Sequence, residues 1–212
     1  DFASLLPINA DSQIGQNTSS SIMRAEQETG VCKVVCFSPR HDLTLPELET
    51  SAIQNVISTW TRDSVDLSAR RDIAYVQVFE NKGAVMGCSN PHPHSQIWSQ
   101  SQIPNEPAKE LSSQSNYYQK HNHTLLHDYI KEEHQKKERL VEVNDHFTAL
   151  VPYWAVWPFE IMLIAHGKKG RLSDLKPAEV YALADIMKKV TTRYDNLFET
   201  SFPYSMGFHQ AP

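Results

Sequence analysis

The alternation of hydrophobic and polar positions predicts two clear helices and five strands along this chain. Apolar residues recur at helical spacing from about Pro46 to Trp60 and, more regularly, from Lys176 to Phe198. Strand-like runs of β-branched and aromatic residues are VCKVVCF (31–37), DIAYVQVFEN (72–81), HPHSQIW (92–98), HFTALVP (146–152) and FEIMLIA (159–165). We therefore expect an α+β fold, an antiparallel sheet with helices packed on it.

The segments between these elements are polar. Gly83 and Gly87 separate the second and third predicted strands and favour a tight return, which makes the two strands a hairpin. Residues 106–137 are polar, and we expect helix in part of this segment. Residues 1–30 carry Ser, Asn, Gln and Thr without periodicity and predict a polar loop or disordered segment, so that residues 31–212 form the folded core.

Composition narrows the class of protein. The chain has 212 residues, a formal net charge of -5 and a pI near 6.1, which gives no electrostatic reason to expect nucleic-acid binding. No apolar run reaches the roughly 18 residues of a membrane span. Three cysteines cannot all pair, which favours a reducing, cytoplasmic setting. The start at Asp1 and the end at GFHQAP lead us to expect a piece of a longer protein.

The stretch SNPHPHSQIW (89–98) carries the most chemistry. In a strand, His92, His94 and Gln96 share one face, and the prolines between them stiffen the backbone. Rigid imidazoles serve as metal ligands, general bases or nucleophiles, although two histidines in a turn can also be ordinary surface residues. The Gln96 amide can donate hydrogen bonds to a phosphoryl oxygen but cannot deliver a proton. That property suits a reaction whose leaving group, such as phosphate, is already a good one and needs no proton from the protein.

Several longer blocks carry a family resemblance. They are FENKGAVMGCSNPHPHSQIW, CFSPRHDLTLPEL, ERLVEVNDHF, VPYWAVWPFE and MKKVTTRYDNLFETSFPYSMGFH. With them the chain resembles the galactose-1-phosphate uridylyltransferase family, a branch of the histidine-triad superfamily. The resemblance implies a histidine-triad-like fold, a homodimer when complete, and no organic cofactor. It also implies a ping-pong reaction in which UDP-glucose gives UMP to a histidine and releases glucose 1-phosphate, after which galactose 1-phosphate takes the UMP to give UDP-galactose.

The same resemblance implies roles for individual residues. His94 matches the nucleophile, and Gln96 matches the glutamine that holds the uridylyl phosphate. The remaining substrate-binding positions are Asn81 and Ser89 as phosphate contacts, Gly87 and Cys88 as the backbone beside them, and Val34 against the uracil. Val34 is equally consistent with a place in the strand core. Ser95, directly after the nucleophile, stands where the family commonly has glycine.

Two metal sites are implied only in part. His41 and His92 match two ligands of a zinc ion, whereas the two cysteines that complete the family's site have no counterpart in this chain. Glu110 and His209 match two of four ligands of a second ion, iron or zinc. His209 lies in GFHQAP, where the family has GWHGAP.

Two other functions stay open. Another histidine-triad enzyme, a nucleotide hydrolase or phosphorylase, would use the same fold, but Gln96 in place of the superfamily's third histidine and the block SFPYSMG speak against it. The second alternative is a scaffold that keeps the fold without turnover. Steady release of UMP in water would identify a hydrolase, and failure of substrate to label the protein would favour the scaffold.

Overall fold

The computed structural model describes residues 27–212 and shows an α+β fold, as the sequence predicts. In chain order the strands are β1 (Gly30–Cys36), β2 (Tyr75–Lys82), β3 (His94–Gln100), β4 (Leu140–Val143), β5 (Phe147–Leu150), β6 (Met162–Ala165) and β7 (Tyr204–Phe208). The α-helices are α1 (Thr50–Ser68), α2 (Asn105–His121), α3 (Leu125–Lys136) and α4 (Pro177–Phe198).

The strands form two antiparallel sheets. The larger sheet has the order β1-β3-β2-β7, and the smaller one is the meander β4-β5-β6. In β3 the side chains alternate between buried and half-buried along the whole strand. One face of the larger sheet is therefore covered, and the other face stays open to a ligand.

The covered face packs against α1, which also contacts α4, and α4 in turn contacts β4 and β5. The apolar side of α1 is buried because Ile53, Ile57 and Trp60 recur on one side of the helix and have no exposed surface. Burial of each such side chain contributes about 1.5–3 kcal/mol. One hydrophobic cluster runs from α1 through the larger sheet to α4 and β5, so the two sheets share a core.

Three sequence predictions need correction. The helix predicted from Pro46 begins later, because Leu45–Glu47 form a 3-10 turn in which the Glu47 carboxylate accepts the Thr44 N–H (2.7 Å), and Leu48 then returns to extended backbone before α1. The third strand begins at His94, so His92 lies in the preceding loop and not on the strand face. Strands β2 and β3 do pair, but a loop with its own 3-10 turn (84–86) joins them instead of a tight return.

The polar segment after β3 is mostly helical and forms α2 and α3. Strands β4 and β7 were not predicted. Most of the segment 1–30 lies outside the described residues, and its last residue, Gly30, begins β1. Among residues 27–212, the helices are too short or too polar to traverse a lipid bilayer.

Candidate active site

His94 stands at the first position of β3, on the open face of the larger sheet. Its Nδ1 atom lies 2.7 Å from the carbonyl oxygen of His92. A carbonyl can only accept a hydrogen bond, so Nδ1 carries the proton, and in the neutral ring Nε2 keeps its lone pair. The loop that supplies this carbonyl is tied to the residue directly after β1, because the Phe37 N–H donates to the Pro93 carbonyl (3.1 Å). His94 is therefore presented as a nucleophile or base through Nε2.

Gln96 follows on the same face and is oriented by Trp98. The indole N–H of Trp98 donates to Oε1 of Gln96 (3.2 Å), and the indole ring is itself held edge-on against Phe79 (5.6 Å between centroids). An indole N–H is only a donor, so the amide oxygen must face it and the amide NH₂ is left to donate elsewhere. Gln96 is thus prepared to bind an anionic oxygen.

The register of the sheet decides which other residues share this face. Val34 lies directly opposite Gln96 on β1, and Cys36 lies opposite His94. Directly opposed residues of an antiparallel pair project to the same side. Val34 is 49% exposed, so the alternative that it belongs to the strand core is wrong. It is free to contact a flat, apolar ligand surface beside Gln96.

Asn81 lies on the open face as well, because Phe79, two residues earlier, is paired with Gln96. Its carboxamide oxygen accepts a hydrogen bond from Ser205 on β7 (2.6 Å). As with Gln96, this contact leaves the Asn81 NH₂ turned outward as a donor. Sequence reasoning did not find Ser205, which is far from Asn81 in the chain and carries no motif of its own.

The loop from Gly83 to Pro93 contains the other predicted phosphate contacts. Gly83 and Gly87 have φ of 93° and 82°, a region that favours glycine, and they bracket the 3-10 turn. The N–H groups of Gly87 and Cys88 donate to the carbonyls of Ala84 (3.0 Å) and Gly83 (3.3 Å). Those two N–H groups thus hold the loop together. Ser89 is exposed in the same loop.

His92 faces His41, not the open face. Their Nδ1 atoms are 2.7 Å apart, and the two rings meet edge to face. The two nitrogens converge from the segment after β1 and the loop before β3. Imidazole nitrogen is a preferred zinc ligand, so the pair would supply two of the ligands of such an ion.

Glu110 and His209 form the second predicted pair. Both carboxylate oxygens of Glu110 lie 2.8–2.9 Å from Nδ1 of His209, which links α2 to the segment after β7. Each of the two pairs supplies only two residues that can ligate a metal ion. Among residues 27–212, no group of three or more His, Cys, Asp or Glu side chains converges to hold a metal ion.

A charged cluster lies behind Asn81, on the covered face of β2. Glu80 is 3% exposed and accepts a hydrogen bond from the Tyr204 hydroxyl (2.9 Å). Burial raises the pKa of Glu80 to about 7, against smaller opposing effects of Tyr204 and Lys82. Lys82 pairs with Asp195 of α4 (3.4 Å). The cluster joins β2, β7 and α4 beneath the open face.

Models of one family match almost the whole chain. The model described as "Galactose-1-phosphate uridyl transferase, N-terminal domain" matches residues 1–104, and the corresponding C-terminal domain matches residues 110–212. The boundary between the two models falls at the start of α2, directly after the strand that carries His94 and Gln96.

Curated relatives named galactose-1-phosphate uridylyltransferase align with the full length of this chain. Galactose-1-phosphate uridylyltransferase of Haemophilus influenzae is 49% identical over 212 residues, which cover 100% of this chain and 59% of the relative. The enzyme of Rattus norvegicus is 46% identical, with 100% of this chain and 55% of the relative covered. The chain thus spans somewhat more than half the length of these relatives.

Solved structures give the same result for the fold. A structure titled as a uridylyltransferase superposes with a TM-score of 0.83 at 30% identity and covers 87% of this chain and 58% of its own. An ADP-glucose phosphorylase from Arabidopsis thaliana, with bound ADP-glucose, superposes with a TM-score of 0.79 at 23% identity over 87% of this chain and 57% of its own, which is a likeness of fold. The family models and the curated relatives together show that this chain belongs to the galactose-1-phosphate uridylyltransferase family.

Proposed function

We propose that the full-length protein is a UDP-glucose–hexose-1-phosphate uridylyltransferase, in which His94 carries the UMP group between UDP-glucose and galactose 1-phosphate. The observation that carries the proposal is the hydrogen bond from Nδ1 of His94 to the His92 carbonyl, which leaves Nε2 as the nucleophile. Membership of the family supplies the class of reaction and the identity of the two substrates.

In the first half of the reaction, Nε2 of His94 attacks the phosphorus next to the uridine. A nitrogen–phosphorus bond forms, the bond from that phosphorus to the bridging oxygen breaks, and glucose 1-phosphate leaves. Because a neutral imidazole attacks, the ring of the uridylyl-histidine is cationic. Its Nδ1–H points at the His92 carbonyl, whose partial negative charge stabilises the cation.

The second half runs the same chemistry in reverse. A phosphate oxygen of galactose 1-phosphate attacks the same phosphorus, the nitrogen–phosphorus bond breaks, and UDP-galactose leaves with His94 again neutral. Gln96 donates hydrogen bonds to the phosphoryl oxygens in both halves but supplies no proton. None is needed, because both leaving groups, a sugar phosphate and an imidazole already hydrogen-bonded at Nδ1, depart readily.

The other predicted substrate-binding residues are assigned to the same ligand. We propose that Asn81 and Ser89 donate to phosphate oxygens, with Gly87 and Cys88 forming the loop beside them. Val34 provides apolar surface for the uracil beside Gln96. The geometry that supports this assignment is the shared face of Val34, Gln96 and His94, together with the outward NH₂ group of Asn81.

We also propose metal ions at the two ligand pairs. An imidazole pair suits zinc at His41 and His92, and a carboxylate with an imidazole at Glu110 and His209 suits iron or a second zinc ion. A bound ion at the first pair would fix the loop before β3, because His92 also supplies the carbonyl that holds His94. No step of the reaction depends on it.

We further propose that the full-length protein is a cytoplasmic homodimer. The cysteines Cys32, Cys36 and Cys88 are all unpaired, as expected in a reducing compartment. The dimer follows from the family resemblance. Sedimentation equilibrium of the full-length protein is expected to give the mass of two chains, and the mass of one chain would overturn this assignment.

Intact-mass spectrometry of the full-length protein with UDP-glucose alone tests the transferase proposal. We expect one UMP group to attach to the protein and galactose 1-phosphate to remove it as UDP-galactose. Steady release of free UMP in water would indicate a hydrolase, and release that requires inorganic phosphate would indicate a phosphorylase. A folded protein that gains no mass and releases no product would be a scaffold.

A further inference from the structure

A buried hydrogen bond lies directly beneath the residues that bind the phosphoryl group. The indole N–H of Trp60, on α1, donates to Oγ of Ser95, on β3, over 2.6 Å. Both side chains have no exposed surface. Ser95 is the one residue between His94 and Gln96, and its side chain projects to the covered face while those of its two neighbours project to the open face.

The Ser95 backbone is therefore the common support of His94, the proposed nucleophile, and Gln96, the proposed phosphoryl-binding amide. Trp60 is a rigid donor, because its ring packs against Phe37 (6.0 Å between centroids) and Phe208 (5.2 Å) as well as within α1. These contacts fix the position of the indole ring relative to the covered face of the sheet. A hydrogen bond from such a donor restrains both the position and the rotation of β3 at Ser95.

We propose that the Trp60–Ser95 pair is a positioning device for uridylyl transfer. It rests on the transferase function proposed above. The bond holds the peptide segment His94–Gln96 so that Nε2 of the imidazole and the NH₂ of the amide meet at one phosphorus. In-line attack depends steeply on orientation, and displacement of a reacting group by about 1 Å can cost about 100-fold in rate.

A purely structural bond would stabilise the sheet without affecting the chemical step, and the same strand contains a control for that role. Ser99 is also on the covered face of β3 and also has no exposed surface. Its hydroxyl donates to the Val31 carbonyl (2.9 Å) and accepts the Val31 N–H (3.2 Å), at the end of β3 away from His94. Ser99→Ala thus removes a buried serine hydroxyl from the same face of the same strand.

The test is the single-turnover rate of uridylyl-His94 formation in the full-length protein, measured by quenched flow with UDP-glucose. We expect Ser95→Ala and Trp60→Phe each to lower the rate at saturating UDP-glucose by about tenfold. The UDP-glucose concentration that gives half of this rate should change by less than about twofold. Ser99→Ala should keep the wild-type rate within about twofold. The double variant should be no slower than the slower single variant, because both changes remove one bond.

Thermal unfolding of each variant separates loss of fold from loss of rate. If Trp60→Phe fails to fold, the comparison of Ser95→Ala with Ser99→Ala decides alone. Equal rates for Ser95→Ala and wild type, or equal losses in Ser95→Ala and Ser99→Ala, would overturn the positioning role. A wild-type protein that forms no adduct would instead overturn the transferase function on which it rests.

Discussion

The Nδ1 atom of His94 lies 2.7 Å from the backbone carbonyl of His92, two residues earlier in the chain. This single contact sets the tautomer of the imidazole and aims Nε2 away from the backbone. His92 therefore has two separate parts in the site. Its main chain orients the His94 imidazole, and its side chain turns away to meet His41.

Replacement of His94 should abolish the covalent intermediate. His94→Ala removes the Nε2 atom that would bond to phosphorus. We therefore expect no UMP adduct in intact-mass spectra and a loss of about 10⁴-fold or more in kcat/KM. His123→Ala is the matched control, since His123 is an exposed histidine that pairs with Asp128 of α3. Retention of the adduct in His94→Ala would show that another residue is the nucleophile.

The orientation of Gln96 by Trp98 predicts a graded loss of transfer. Gln96→Ala removes a donor to the phosphoryl oxygens and should lower kcat by about 100-fold. Gln96→Glu should be slower still, because a carboxylate repels the phosphate. Trp98→Phe keeps an aromatic ring but frees the amide, and should cause a smaller loss.

Gln100→Ala is the control for these three variants, because Gln100 lies on the same face at the far end of β3. Steady-state kinetics of the four variants provide the measurement. Activity of Gln96→Glu at or above that of Gln96→Ala would contradict the role of the amide as a donor.

The buried carboxyl of Glu80 predicts a pH dependence of stability. Its pKa is about 7 in the folded protein, against a usual value of 4.5. Between these values the folded protein holds a proton that the unfolded chain has released. The free energy of unfolding should therefore fall by about 3 kcal/mol from pH 4.5 to pH 7 through this group and stay level above pH 7.

Glu80→Gln should remove that dependence, since the amide oxygen still accepts from Tyr204 but does not titrate. We expect the variant and the wild type to differ little at pH 4.5 and the variant to be more stable at pH 8. Denaturant unfolding at several pH values measures the difference. Glu106→Gln, at an exposed site on α2, should run parallel to the wild type, and a parallel curve for Glu80→Gln would contradict the prediction.

The facing imidazoles of His41 and His92 predict zinc binding. In the full-length protein, His41→Ala should weaken zinc affinity by more than the 10–100-fold that loss of an outer-sphere partner costs. Zinc content after dialysis against a graded chelator measures this without reference to activity. His121→Ala, at an exposed position on α2, serves as the control. Equal zinc content in His41→Ala and wild type would exclude this pair as a zinc site.

Local pattern was sufficient for most of the secondary structure. The apolar stripe of α4 predicted its extent to within a residue, and the strand-like runs identified β1, β2, β3, β5 and β6. Strand β7 was missed because Tyr204–Phe208 is a five-residue edge strand, too short for its alternation of half-buried and exposed positions to stand out from the chain around it. The start of α1 was wrong because a 3-10 turn at Pro46 competes with the helix.

The sequence by itself also determined the chemistry of the site: two imidazoles and an amide within five residues, in a setting that resembles one family. Only the tertiary structure decided how they are arranged. The family resemblance already paired His41 with His92 and Glu110 with His209, and the structure brings each pair into contact. The contacts of Trp60 with Ser95 and of Ser205 with Asn81 came only from the packing of α1 on the sheet and the pairing of β7 with β2. Such partners are set by strand pairing and by core packing between distant segments, and spacing along the chain carries no information about either.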